Sequence, residues 1–493
     1  MRRRLDASSM RAGGTAAIWT CVSNSPKHQQ PQLLAQLATD PLWREPTWAK
    51  LISYMMLPAV LTLQGGLEAS NYSTVLGGGP LDLMQSGLLA TLGPGDVFVW
   101  VGVGNLEWHA ASNSTSYFAH DVMRTLTARG VLTVFYSTES FLHHSCSSKR
   151  TLPVREIWEY TRTNVLCCPD DAQAARVRYV PPGYHKRERL AGSASPAAQN
   201  QDSLAAPPPL KLVFFGSANY WYWMRHQCLR HVTTGLLAGW DQADPNGATT
   251  LGPQCLNSVC EKCNTTRCPL IAAHGSTDDG SWDKVVASNR YFLNMHKVCD
   301  WAMHASEPTA SSNASCESFR LASLLSAGAE VFSEHCHPAD EEEYEGLVRF
   351  LPMQNLSDEV VATWRANGRR ATHAAARERA RRFAVRFAPA AIFERAGITE
   401  MLLAHRSAAA GTAVQRGRTH SSGGMGDRRS SDSGKPVRPE TAAVLRARFP
   451  DVPAFCCLAG SECDILHKLT HVKVRGNMTL LLEMQAGSRG RKG

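Results

Sequence analysis

The chain has no apolar run long enough to cross a membrane. Its longest, Leu51 to Leu63, is interrupted by Ser53, Pro58 and Thr62 and falls well short of the roughly 20 residues that span a bilayer. No apolar h-region follows the basic start Met1 to Arg4, so no ordinary signal peptide is visible. No segment interleaves clustered Lys and Arg with aromatics, as a nucleic-acid-binding face would. The net charge is +9, but the excess arginine lies near the N-terminus, between Arg369 and Arg386, after Arg406 and in the last residues. That pattern reads as solvated surface and tails. It excludes nucleic acid as the expected partner while still favouring a small anionic ligand.

Other signatures are incomplete. Val101 to Glu107 offers only the first two glycines of a G-x-G-x-x-G turn, with Glu107 at the third place, which argues against the dinucleotide fingerprint of a dehydrogenase. Cys255, Cys260, Cys263 and Cys268 put one C-x2-C pair at the centre instead of repeating it. Two local disulfides fit this spacing better than a structural zinc, and no metal ligands are assigned. Internal repeats of 20 to 50 residues are absent.

What is present is ordinary in bulk. The 493 residues, 43% hydrophobic and 19% charged, suit two or three globular domains. Six Asn-x-Ser/Thr sequons stand at Asn71, Asn113, Asn264, Asn313, Asn355 and Asn477, although sixteen asparagines are present in all; chance composition gives about two or three. With fifteen cysteines, the sequons point to the secretory pathway or Golgi lumen, since disulfides persist in oxidising compartments. A cytoplasmic location is the alternative.

Residues 1–45 carry little periodicity and are expected to form a poorly ordered leader, with order beginning near Trp48. Residues 46–189 then alternate strand and helix signals. Asp96 to Val101 and Val131 to Tyr136 are apolar, β-branched runs of the kind buried on both faces of a parallel sheet. Between them, Ala119 to Arg129 has helical spacing and ends at Gly130, a residue suited to a helix C-cap. A helix is expected over Pro153 to Tyr160, with short strands at Val165 to Cys167 and Val177 to Val180.

Residues 190–209, rich in Ala, Ser, Gln and Pro, read as a linker. The pattern restarts at Leu210 to Phe215, and residues 210–400 are expected to form a second Rossmann-like domain interrupted by a Cys-rich loop insertion over 239–281. Its later elements are expected at Val285 to Asn294, Glu317 to Ser326, Glu330 to Ser333, Leu347 to Phe350, Asp358 to Ala366 and Arg370 to Phe387. Residues 401–440 are expected to be a disordered linker and 441–493 a tail.

Six short motifs stand in order. They are Tyr136-Ser-Thr-Glu139, Val180-Pro-Pro-Gly-Tyr184, Leu212-Val-Phe-Phe-Gly-Ser217, Leu293-Asn-Met-His296, Glu317-Ser-Phe-Arg320, and Gly328-Ala-Glu-Val-Phe-Ser-Glu334 followed by Val348-Arg-Phe350. In this order the chain resembles the glycosyltransferase family 1-like group that includes spore-coat (CgeB-type) enzymes. The resemblance covers roughly Asp96 to Phe387. It implies a GT-B fold, an α/β architecture of two Rossmann-like doubly wound parallel-sheet domains facing a cleft. It also implies transfer of a sugar from a nucleotide-sugar donor to a carbohydrate or glycoprotein acceptor, with no obligate metal.

The chemistry of these residues fits that reading. A leaving nucleoside diphosphate needs N–H donors at a helix start and a fixed cation. A helix opening at Glu317, with Arg320 one turn on, supplies both, and the planar Arg fork suits phosphate. The resemblance assigns Glu317 to hydroxyls of the donor sugar or ribose. The plainer reading makes Glu317 a first-turn dipole partner and Arg320 its ion pair.

Gly216 and Ser217 follow a strand where backbone can approach phosphate, and Asn294 and His296 end another strand at the carboxyl edge. His296 is either a catalytic or phosphate-binding group or a satisfied structural histidine. Glu139 is the first candidate base for an acceptor hydroxyl, before Glu107 and His109. Many retaining GT-B enzymes carry a second Glu where this chain has Leu325. Glu334 is a substitute for it or a solvated loop carboxylate. The missing partner leaves room for an inactive carbohydrate-binding or scaffold protein with the same fold.

Overall fold

The computed structural model describes residues 14–20, 57–78, 87–102, 115–138, 152–166, 176–185, 212–215, 228–229, 231–236, 270–273, 289–296, 315–366 and 371–417. The Cys255 to Cys268 cluster, Glu107 and His109 lie outside them, as do the expected linker 190–209 and the tail 441–493.

Six strands form the first sheet: β1 (Thr15–Thr20), β2 (Ser73–Gly78), β3 (Val97–Gly102), β4 (Leu132–Ser137), β5 (Glu156–Glu159) and β6 (Val177–Tyr179). All pair in parallel, in the order β2-β1-β3-β4-β5-β6. The second sheet holds β7 (Leu212–Phe215), β8 (Leu270–Ala273), β9 (Tyr291–Asn294), β10 (Glu330–Glu334) and β11 (Val348–Leu351). It too is parallel, in the order β11-β10-β9-β7-β8. Each sheet therefore runs outward from its first strand in both directions. Strand order reverses between β1 and β3 in one and between β7 and β9 in the other, the switch points where doubly wound sheets bind ligands.

Strand alternation builds the layers. Val97, Val99 and Val101 face one core, whereas Phe98 and Trp100 face another on the opposite side. In the second sheet Val213, Phe292 and Val331 point into the first of these cores, and Phe214, Leu293 and Phe332 into a third. A period of two along each strand thus makes both sheets double-sided. The inner core is continuous across the two domains.

The described helices are α1 (Leu57–Ala69), α2 (Leu88–Thr91), α3 (Thr115–Ala128), α4 (Arg162–Leu166), α5 (Ser318–Ser326), α6 (Pro338–Glu343), α7 (Leu356–Ala366), α8 (Ala371–Arg386), α9 (Pro389–Arg395) and α10 (Ile398–Gly417). Residues 228, 229 and 231–236 are also helical. Gly130 follows α3 at φ 82°, as its place in the sequence suggests, and Val131 N–H closes the end on Leu126 O at 3.0 Å.

Five expectations are corrected. The leader contains β1, an inner strand whose Ala16 to Trp19 are at most 2% exposed; Thr15 N–H is held by Asp96 Oδ1 at 2.8 Å. The stretch around Pro153 to Tyr160 is strand β5, not helix, and the expected strand at Val165 falls in α4. Two helix-favouring glutamates are kept in β5 by partners: Arg178 pairs with Glu156 at 2.7 Å, and Asn164 Nδ2 donates to Glu159 at 2.9 Å. Tertiary contacts override propensity there. The Cys-rich insertion contributes strand β8, an edge of the second sheet.

Finally, α10 occupies the start of the expected disordered linker. Ile398 and Leu402 are fully buried in the inner core. Helices α9 and α10 return to the first domain. Phe393 meets Trp158 edge-on at 5.5 Å, and Tyr72 Oη donates to Leu402 O at 3.5 Å. Gly66 of α1 permits the approach, because a Cβ there would overlap the Phe393 ring.

Candidate functional site

In a parallel sheet the carboxyl ends of the strands share one edge, so residues ending β7, β9 and β10 are neighbours however far apart in sequence. Asn294 ends β9 and Glu334 ends β10. Helix α5 leaves from the loop before it with Glu317 as N-cap. The fold therefore gathers Asn294, His296, Glu317, Arg320 and Glu334 at the switch point of the second sheet.

Arg320 is the hub. It is only 6% exposed, and its Nη1 donates to Asn294 Oδ1 at 2.9 Å and to Met295 O at 3.1 Å. The guanidinium lies 5.2 Å from the centre of the Phe214 ring on β7 and 4.0 Å from Glu317 Oε2. Buried guanidinium groups are held in place by such fixed acceptors. The approach to Glu317 is the ion pair of the plainer reading, at the 4.0 Å limit of such a contact.

Asn294 is oriented from its other side. Its Nδ2 donates to Ser333 Oγ at 3.0 Å, and Ser333 Oγ donates to Glu334 O at 2.8 Å. Glu334 is 1% exposed, and its Oε1 accepts the backbone N–H of His296. It is thus a buried carboxylate at a strand end, which corrects the reading of a solvated loop residue. His296 is 3% exposed beside it. Leu325, where a second Glu was sought, is fully buried in the inner core. Glu139, Gly216 and Ser217 lie outside the described residues; the residue before Glu139, Thr138, directly follows β4 and donates to Gly102 O at the end of β3.

A disulfide frames the site. Cys316 and Cys336, with Cα atoms 5.4 Å apart, join the residue before Glu317 to the loop two residues beyond Glu334. Neither cysteine was singled out in the sequence.

The first domain closes over this edge through contacts that sequence reasoning did not reach. Asp340 of α6 accepts Arg162 N–H at 2.7 Å and Thr163 Oγ1–H at 2.6 Å from α4, and Cys316 N–H at 3.3 Å from its own domain. Arg162 Nη2 pairs with Glu343 at 2.6 Å, and Ser315 Oγ donates to Asn164 at 3.2 Å. Since α4 follows β5 and α6 follows β10, the carboxyl edges of the two sheets face each other. Burial pushes the Asp340 carboxyl above the usual range, opposed by the Thr163 hydrogen bond; burial also depresses His337, whose Nδ1 accepts Ala339 N–H and caps α6. His337 followed by Pro338 at the first helical turn was the available signal, an N-cap pattern.

Among the described residues no group of three or more His, Cys, Asp or Glu could hold a metal ion, and no helix is long and apolar enough to cross a membrane.

No protein-family model and no characterised protein matches the sequence. Solved structures similar to the chain include HepE of Anabaena in complex with UDP and glucose, at 10% identity and TM-score 0.39, covering 81% of this chain and all of that one. An α,α-trehalose 6-phosphate synthase of Burkholderia multivorans matches at 10% identity and TM-score 0.39, covering 85% and 100%. A glycosyltransferase of Rickettsia africae matches at 6% identity and TM-score 0.43, covering 79% and 99%. The fold itself rests on the two sheets. Two doubly wound parallel-sheet domains meet at their carboxyl edges, the GT-B layout.

Proposed function

We propose that the chain is a GT-B glycosyltransferase that transfers a sugar from a nucleotide-sugar donor to a carbohydrate or glycoprotein acceptor. The observation that carries this reading is the buried cluster of Arg320, Asn294, His296 and Glu334 at the second sheet's switch point, opposite the first domain.

In this reading the diphosphate lies against the start of α5, where the helix dipole and the Arg320 guanidinium offset the charge that grows on the leaving group. Asn294 and Met295 O fix that guanidinium before the donor arrives, so little reorganisation accompanies reaction. Glu317, one-fifth exposed at the mouth, binds donor hydroxyls. Glu334 orients the His296 backbone, and Glu139 removes the acceptor proton. The resemblance to the CgeB-type group supports the same assignment.

Calorimetric titration of the full chain with UDP, GDP and their sugars tests it, with Arg320→Lys and Arg320→Ala alongside. One nucleotide should bind the wild type, weakly the Lys variant and not the Ala variant, all three showing the same folded circular dichroism. A folded wild type that binds none of them overturns the reading. One observation favours a second reading, an inactive carbohydrate-binding or scaffold protein: the place of a second site glutamate holds the core residue Leu325. That reading expects sugar binding without turnover of any nucleotide sugar.

A further inference from the structure

Two of the six sequons fall on described residues, and both put the asparagine at the surface. Asn71 is exposed in the turn between α1 and β2, and Ser73, the hydroxyl residue of its sequon, is exposed as well. Asn71 has φ 63°. Asparagine is favoured in that left-handed conformation on backbone grounds alone. The turn accounts for the asparagine but not for the serine two residues on.

Asn355 ends the short 3-10 turn after β11. Its flanking apolar residues Met353 and Leu356 are 3% and 0% exposed, whereas Asn355 itself is exposed. The anchored neighbours hold the asparagine outward. Its sequon partner Ser357 is buried and donates to Val232 O at 3.0 Å. Modification there must precede the packing of α7.

An independent observation concerns redox state. Cys316 and Cys336 are 0% and 1% exposed and joined, and Cys228, also fully buried, is disulfide-bonded too. Buried disulfides of this kind are formed and kept in oxidising compartments, not in a glutathione-reduced cytosol. N-glycosylation uses the same compartments.

We infer that the chain matures in an oxidising, glycosylating lumen and carries N-linked glycans on Asn71 and Asn355 together with the Cys316–Cys336 disulfide. Each glycan transfer forms a bond from Asn Nδ2 to the anomeric carbon of a lipid-diphosphate-linked oligosaccharide. That carbon's bond to phosphate oxygen breaks, one amide proton is lost, and the lipid diphosphate leaves. The disulfide forms by exchange with an oxidised protein disulfide, which takes up the two electrons and two protons of the cysteine pair. Asn71 leaves the first sheet at the amino end of β2, away from the candidate site. Asn355 follows edge strand β11, whose end pairs with the end of β10. None of this depends on the site binding a nucleotide sugar.

The test is peptide mapping of the full chain captured from the cells that make it, alkylated before lysis and kept unreduced. Treatment with peptide N-glycosidase in heavy-oxygen water converts each glycosylated asparagine to heavy-labelled aspartate. Labelled aspartate at 71 and at 355, with the peptides of Cys316 and Cys336 recovered as one linked species, is the expected result. Unconverted asparagine at both positions, or alkylated thiols at Cys316 and Cys336, overturns the inference. Conversion at one position alone overturns the assignment of the other.

Discussion

The backbone N–H of Arg162, at the start of α4 in the first domain, donates to Asp340 Oδ1 in the second at 2.7 Å. One carboxylate so placed terminates a helix in the other domain, while its second oxygen receives Thr163 and Cys316. The domain contact beside the candidate site is therefore a set of fully buried, directional bonds and not a loose apolar touch.

Replacing Asp340 tests that contact. Asp340→Ala strips the acceptor from several buried donors and should lower unfolding free energy by about 3 kcal/mol in urea titration. Asp340→Asn keeps one acceptor oxygen and should lose about half as much. Equal stability of all three proteins would show that the interface is not held here.

Glu317 makes no side-chain capping bond to α5 and stands 4.0 Å from the Arg320 guanidinium. Glu317→Gln should leave stability within about 0.5 kcal/mol. Donor affinity, followed by calorimetry with whichever nucleotide sugar the wild type binds, should fall about 10- to 100-fold.

Gly66 sets how closely α9 returns to the first domain. Gly66→Ala should push Phe393 off Trp158 and cost about 1 to 3 kcal/mol, as overpacking does. Phe393→Ala removes the ring instead and should cost about 3 to 5 kcal/mol. In Gly66→Ala/Phe393→Ala the alanine no longer meets a ring, so the double variant should lose less than the sum of the two single losses. Strict additivity in thermal unfolding would mean that the contact is unimportant.

His337 gives stability a definite pH dependence. Its pKa lies below the ordinary 6.5, chiefly through burial, so the unfolded chain takes up a proton that the folded one resists. Its contribution is complete above pH 6.5 and lost as pH falls through the folded value. Asp340 and Glu156, both raised mainly by burial, act with the opposite sign at lower pH. Denaturant midpoints between about pH 7.5 and about pH 5.5 should fall less for His337→Asn, which retains a capping acceptor, than for the wild type.

Much of the double α/β pattern was legible because strands buried on both faces are largely apolar runs, as at Val131 to Tyr136 and Leu212 to Phe214. Strand β1 escaped notice as one short run, Ala16 to Trp19, in a segment without periodicity. Strand β5 carries two glutamates, and partners such as Arg178 and Asn164, distant or in the next turn, make them tolerable in a strand. In the site, Asn294, His296, Glu317, Arg320 and Glu334 were named from sequence and lie together. Asp340, Ser333 and Arg162 were not, because their roles come from residues on other strands and on the other domain, which no local spacing encodes.

The return of α9 and α10 to the first domain also imposes an order of events on synthesis. Tyr72 reaches Leu402, 330 residues further along the chain, and Ile18 shares a core with Ile398. At about 5 to 20 residues per second, the completed first domain waits roughly 10 to 50 s for the helices that cover it. Throughout that interval the inner face formed by Ile18, Val99 and Trp158 is an unfinished apolar surface. That surface is completed only when Ile398 and Leu402 join the inner core.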